Sequence, residues 1–240
     1  RAQLDAHYAQ TPAFAVISGI SYDTWQPVHD FCEGQRVPCL LPIAWMPPQT
    51  TGFYSVYFAP GIEGQIRAIG KQLARDGVRE VIAWTTESTA GERQRSAIRA
   101  ALSDHGIGLA DRAVRPGDIA VSALPPAELL KRRSEVQPGP SRLYVLDRPE
   151  GDMPDRWNSG ALGALPQVTV VTDLASADIA RRQLPRSRMW VSLKRLAPSS
   201  ERVAVNALLA ATIAVEVLMH VDDNFTREYC IEKLEHNLEN

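Results

Sequence analysis

The residues best suited to chemistry cluster early in the chain. The polar knot Ser21-Tyr22-Asp23-Thr24 is followed by His29, Cys32 and Cys39. His29 and Cys32 stand one helical turn apart, so a Cys–His nucleophile pair is conceivable. Cys32, however, shares the apolar stripe of Trp25, Val28 and Phe31, a setting in which a thiol is buried and inert. A disulfide from Cys32 to Cys39 is the stronger reading if the chain is exported, because the end of a helix and the strand after it can approach each other. Cys230 has no evident partner and is expected in the core. No C-x-x-C and no Cys/His ligand spacing is present, so neither a structural zinc site nor any metal is expected.

The knot itself has two compatible readings. Asp23 and Gln26 form a D-x-x-Q capping box, with Pro27 fitting the first helical turn. The free N–H groups of such a helix start also favour an anionic group such as a carboxylate. A Ser21 hydroxyl would then assist, and Tyr22 would cover the ligand. Trp45 lies in a Pro-rich loop, as a pocket wall or a core plug. Asp147 and Asp173 both end apolar runs, where an acid can meet a ligand ammonium or cap the next helix. Lys131-Arg132-Arg133 reads as a solvated helix face.

These residues must be held by elements, and the elements alternate. Short continuous apolar runs read as strands: Phe14–Gly19, "VPCLLP", Phe53–Phe58, "VREVIAW", Leu143–Asp147, Val168–Asp173 and Met189–Leu193. Between them lie helices. Asp23 to about Gly34 is one. Gly61–Asp76 is amphipathic, with Ile62, Ile66, Ile69 and Leu73 on one side and Gly77 as its stop. Thr89-Ala-Gly-Glu92 reads as a capping box opening a helix to about His105. Pro116–Pro140 is looser, with "PPAELLKRRS" as a short helix. Two helices close the chain, about Ser200–His220 and Thr226–Asn240.

Alternating strands and helices predict an α/β fold with parallel sheets flanked by helices. In such sheets ligands bind beyond the carboxyl ends of the strands. The residues there are Ser21, Tyr22 and Asp23; Ala44 and Trp45; Thr85 to Thr89, including Ser88; Asp147; and Asp173.

Composition narrows the function classes. The 240 residues carry a formal net charge of −2, which gives no support to nucleic-acid binding or to an anionic membrane surface. Val203–Met219 is the most apolar run, but Asn206 and Glu216 interrupt it, so a buried helix is expected rather than a bilayer span. No phosphate-loop, dinucleotide or nucleophile-elbow motif occurs, and no cofactor is expected. The first residues show no signal-peptide core, and both ends read as cut.

In order and spacing, "VISGISYDTWQPVHDFCEGQRVPCLLP" resembles the first-lobe segment of type I periplasmic solute-binding proteins of ABC transporters, nearest the leucine/isoleucine/valine-binding branch. The matching features are Gly19, Ser21 to Thr24, Gln26-Pro27-Val28 and Pro42-Ile43-Ala44. "FYSVYFAPGIEGQIRAIGKQLARDGVREVIAWTTE" resembles the crossover into the second lobe, and "VNALLAATIAVEVLMHVDDNFTREYCIEKLEH" the late helix pair returning to the first.

The resemblance implies a two-lobed, non-enzymatic periplasmic receptor that closes on a small organic solute, amino-acid-like or a larger aromatic or amide compound, and presents it to a membrane permease. It implies a first lobe of residues 1–58 and 197–240, incomplete at its N-terminal part, and a second lobe of residues 59–196. It assigns a ligand carboxylate to Ser21 or Tyr22, Ala44 and Met46. Met46 stands where the family has Thr, and Ala90 near where the second lobe often offers a Tyr, so a ligand larger or less polar than a branched-chain amino acid is expected. A sensory domain on the same fold and a Cys32/His29 enzyme are the alternatives.

Overall fold

The computed structural model describes residues 1–48, 50, 52–148, 168–172, 185, 188–193, 201–220 and 225–239. The chain divides into two compact units, residues 1–59 with 175–240, and residues 60–174.

The first unit contains α1 (Ala2–Gln10), β1 (Val16–Ile17), β2 (Ile20–Thr24), α2 (Gln26–Gln35), β3 (Cys39–Leu40), β4 (Ile43–Met46) and β5 (Ser55–Val56). Late in the chain it adds α6 (residues 188–193), α7 (Glu201–Met219) and α8 (Arg227–Glu239). Strands β1, β3 and β5 form one parallel sheet, in the order β1-β3-β5, and β2 pairs with β4 in another.

The run expected as one strand over Phe14–Gly19 therefore holds only the short β1, and the chain resumes as β2 just after a break. Ser18 and Gly19 take positive φ at the break, and Leu41 does the same just before Pro42 in the partner. Proline has no N–H to give the ladder, so the pairing is interrupted there. The offset between partners is nevertheless the same on both sides: Val16 faces Cys39, Ile17 faces Leu40, Ile20 faces Ile43 and Ser21 faces Ala44. The register shifts only between Ser21 and Thr24. The two kinked strands thus run together from β1/β3 into β2/β4.

Two side-chain clusters hold this unit. Phe31, Cys32, Val37 and Cys39 pack with Leu4 and Tyr8 of α1. Leu40 and Leu41 pack with Ala210, Ala214 and Val217 of α7 and Cys230 and Leu234 of α8. Small residues on α7 let the helix approach the strands closely. Among the described residues, no helix is long and apolar enough to cross a membrane.

The second unit is one parallel sheet built from β6 (Glu80–Trp84), β7 (Gly108–Leu109), β8 (Ile119–Ser122), β9 (Arg142–Leu146) and β10 (Val168–Val171), in the order β10-β9-β8-β6-β7. Helices α3 (Gly61–Arg75), α4 (Thr89–Ser103) and α5 (Pro126–Glu135) connect and cover it. Helix α3 buries Ile62, Ile66, Ile69 and Leu73, the stripe expected from the spacing. Leu129 of α5 packs on Ile82, Trp84, Ala120, Leu143 and Val145.

Three further expectations are corrected. Met189–Leu193 is helical, not a strand; a short apolar run has no periodicity to separate the two, and Met189 and Leu193 are largely exposed. The middle strand β8 lies within the stretch expected to be loose. Its residues Ile-Ala-Val-Ser are all buried, so neither alternation nor bulk marks it. Helix α2 begins at Gln26, not Asp23, because Ser21 to Thr24 are extended and paired with β4.

Candidate functional site

In the first unit the carboxyl ends of β2 and β4 carry the sequence-predicted residues. The pairing sets Ser21 beside Ala44 and Thr24 beside Met46. The Ser21 hydroxyl donates to the Thr24 carbonyl at 3.0 Å and accepts the Asp23 N–H at 3.3 Å, so it shapes its own turn. The Asp23–Gln26 capping box does not form. Instead Thr24 Oγ1 accepts the Gln26 N–H at 3.1 Å, and no side chain caps α2 from its N-cap residue, Trp25. Tyr22 is the exposed member of the knot. Gly19 is required here: a side chain at its positive φ would meet the Trp25 ring at 2.6 Å. Trp45 is 1% exposed and Ala44 is buried, so Trp45 is a core plug, while Met46 is half-buried.

Cys32 and Cys39 form a disulfide, with Cα atoms 6.1 Å apart. The thiol that a Cys–His enzyme would need is thereby consumed. His29 is buried, and its Nδ1 lies 2.9 Å from the Tyr57 hydroxyl. Burial pushes the Tyr57 hydroxyl well above its ordinary range, with the Glu33 charge adding to the shift, so the phenol stays protonated.

Glu33 is a residue the sequence reading missed. Its carboxylate accepts the Phe53 N–H at 2.9 Å, the Tyr54 N–H at 3.0 Å and the Ser55 hydroxyl at 2.7 Å. It thereby ties the chain after β4 to α2. An acid near the end of a helix looks like a solvated surface residue, and nothing nearby in sequence reveals the three donors.

In the second unit β6 comes first in the chain, with β7 on one side and β8 on the other. The strand order therefore reverses between β6 and β8, the crevice where parallel α/β sheets take ligands. Beyond the end of β6 lies a cavity of about 540 Å³, lined among others by Trp84, Thr85, Thr86, Ser88, Thr89 and Arg132. Such a volume suits a small organic molecule.

The cap of α4 is Ser88, one residue before the expected Thr89. Its Oγ accepts the Gly91 N–H at 3.2 Å and lies 2.8 Å from Thr86 Oγ1. Gly91 has to be glycine, because a Cβ there would collide with the Thr86 carbonyl oxygen. Thr89 is exposed at the cavity.

Asp147, just past β9, is 3% exposed. Thr172 Oγ1 donates to its carboxylate at 2.5 Å. Its main chain is held by Gln65 of α3, whose amide donates to the Asp147 carbonyl at 3.0 Å and accepts the Asp147 N–H at 2.9 Å. Asp173 lies outside the described residues. No cluster of His, Cys, Asp and Glu suited to a metal occurs among the described residues.

No protein-family model matches the sequence, and no curated protein matches it. Solved structures do match. An ABC transporter substrate-binding protein from Desulfitobacterium hafniense is 14% identical with a TM-score of 0.66, over 98% of this chain and 73% of that one. A branched-chain amino-acid ABC transporter protein from Thermus thermophilus with bound valine is 16% identical with a TM-score of 0.63, over 97% and 67%. A solute-binding protein of an ABC transporter from Rhodopseudomonas palustris BisB5, in complex with 3,4-dihydroxybenzoic acid, is 14% identical with a TM-score of 0.51, over 91% and 65%.

The chain has the fold of the type I periplasmic solute-binding proteins. The solute-binding fold accounts for the arrangement above: parallel sheets in two units, with polar residues gathered at strand ends. The chain spans about two thirds to three quarters of the length of these structures.

Proposed function

We propose that the chain is the solute-binding component of an ABC transporter and acts in the periplasm without catalysis. It takes a small organic solute, amino-acid-like or aromatic, and passes it to a membrane permease. The observation that carries this reading is the cavity at the switch point of the second unit, with four hydroxyl side chains and two arginines in its wall. Its volume fits a single small solute rather than a polymer. Neighbours of the same fold that hold valine and 3,4-dihydroxybenzoic acid set the chemical range. The loss of the Cys32 thiol to a disulfide speaks against the enzyme alternative.

In this reading the two compact units, residues 1–59 with 175–240 and residues 60–174, serve as the two lobes. Ser21, Tyr22, Asp23, Ala44 and Met46 belong to the first half-site, and Trp45, buried in the core, is left out of it. Ser88, Thr89, Asp147 and Asp173 belong to the second. Ligand favours a closed state through contacts to both lobes.

The test is thermal denaturation against a panel of amino acids, amides, aromatic acids and alcohols. A solute at one hundred times its dissociation constant stabilises the folded protein by about 2.7 kcal/mol. A panel without a single shift would overturn the reading.

A further inference from the structure

The sequence predicts that the start of α2 and the Ser21 hydroxyl hold a solute carboxylate. In the structure these donors are already spent. Thr24 Oγ1 accepts the Gln26 N–H at 3.1 Å, and Pro27 has no N–H. The Val28 and His29 N–H groups both donate to the Trp25 carbonyl at 3.0 Å, and the Trp25 N–H donates to the Met46 carbonyl at 3.4 Å. The Ser21 hydroxyl donates to the Thr24 carbonyl at 3.0 Å. Met46 brings no hydroxyl of its own. Among the described residues the Trp25 Nε1 has no partner, but it is sealed from solvent and is not offered to a solute.

The fixed charge along this stretch has one sign. From Ser18 to Gln35 the chain carries Asp23, Asp30 and Glu33 and neither lysine nor arginine, and Val37–Ile62 is uncharged. Arg36, between the two, is paired with Glu228 at 3.2 Å. Asp30 accepts from the Gln26 amide at 2.7 Å, and Glu33 is committed to the chain after β4. Asp23 stands half-buried at the carboxyl end of β2. Tyr22, next to it in the chain, is exposed, and the face of an aromatic ring attracts a cation. A carboxylate brought to this turn meets a like charge with no helix N–H to offset it, whereas an ammonium meets an opposite one.

We propose that the first half-site takes the terminal ammonium of an ω-amino acid, with Asp23 as its counter-charge, and not a carboxylate. An α-amino acid is disfavoured for the same reason, because its carboxylate and ammonium share one carbon and both would lie beside Asp23. This deepens the solute-binding reading and rests on it. Asp23, a helix cap by its sequence, becomes the residue that sets the charge of the solute's head.

Titration calorimetry of the full chain with 5-aminopentanoate, glutarate and 2-aminopentanoate tests the proposal. The three share a five-carbon chain and differ in whether one end carries an ammonium, a carboxylate or both. 5-Aminopentanoate is expected to bind on the order of tenfold more tightly than either of the others. Asp23→Asn is expected to bring all three within about twofold of one another, and Asp23→Glu, which keeps the charge, to keep part of the preference. Melting curves of both variants report whether they fold, and if Asp23→Asn does not, the ranking by the parent and by Asp23→Glu still decides. Binding of glutarate or 2-aminopentanoate as tight as that of 5-aminopentanoate overturns the proposal, as does a preference that survives Asp23→Asn. If none of the three binds while another solute of the thermal panel does, the ω-amino-acid class falls and solute binding stands. If nothing in the panel binds, both fall.

Discussion

Gln65 and Asp147 hold each other by a closed pair of hydrogen bonds. The buried Gln65 amide donates to the Asp147 carbonyl at 3.0 Å and accepts the Asp147 N–H at 2.9 Å. Because the Asp147 N–H also meets the Val171 carbonyl at 2.8 Å, one residue joins α3, β9 and β10. Gln65→Leu keeps the bulk but removes both amide contacts. Urea denaturation should show a loss of about 1–3 kcal/mol, from the two missing bonds. A loss below about 0.5 kcal/mol, the size of an ordinary surface substitution, would refute the clamp.

Glu33 does comparable work in the first unit. Glu33→Gln turns one of the two acceptor oxygens into a donor, facing either the Tyr54 N–H and the Ser55 hydroxyl or the N–H groups of Phe53 and Tyr54. The expected cost is about 2–3 kcal/mol, since hydrogen bonds to a charged acceptor are the stronger kind. The chain just after β4 should also become the preferred point of limited proteolysis. An unchanged digestion pattern together with unchanged stability would contradict the role assigned to Glu33.

Thiol counting checks the cysteine assignment directly. Cys230 is the one free cysteine and is buried. Burial also pushes its thiol pKa up, so the native protein should label poorly at neutral pH. Unfolding without reductant should release one reactive thiol, and unfolding with reductant all three. The double variant Cys32→Ser/Cys39→Ser should be less stable by about 2–3 kcal/mol, from the entropy of a short closed loop.

Acid stability should depend on Asp118. Hydrogen bonds from Arg112, helped by the Arg115 N–H, hold its carboxyl below the usual range. The Arg142 guanidinium, with Gln72, does the same for Asp76. A carboxyl lowered in the folded state stabilises the protein above its unfolded pKa, about 3.9 for aspartate, and the contribution is lost as pH falls through the folded value. Asp118→Asn should therefore be weaker than the parent at pH 7 and converge with it towards about pH 2. A constant difference across that span would rule out the linkage.

How much of the site was legible depended on where each partner lay in the chain. Ser88 and the α4 start were legible to within one residue, because a cap and its N–H are three positions apart. The α3 stripe was legible because Ile62, Ile66, Ile69 and Leu73 repeat at the helical period. The Asp23 cap was misjudged because the pull of β4 on Ser21 to Thr24 comes from twenty residues away. Glu33 and Gln65 were invisible for the same reason: apart from the Ser55 hydroxyl, their partners are main-chain groups brought in by the fold, and a main-chain group has no sequence signature.

Periodicity, punctuation and the order of motifs were enough to establish an α/β chain with parallel strands and the likeness to periplasmic solute-binding proteins. Those properties are local, or are sums of local preferences. The kinked β1/β2 and β3/β4 pair and the central place of β8 came only from tertiary structure, because each depends on a contact between distant segments. Burial on both faces makes Ile-Ala-Val-Ser a central strand.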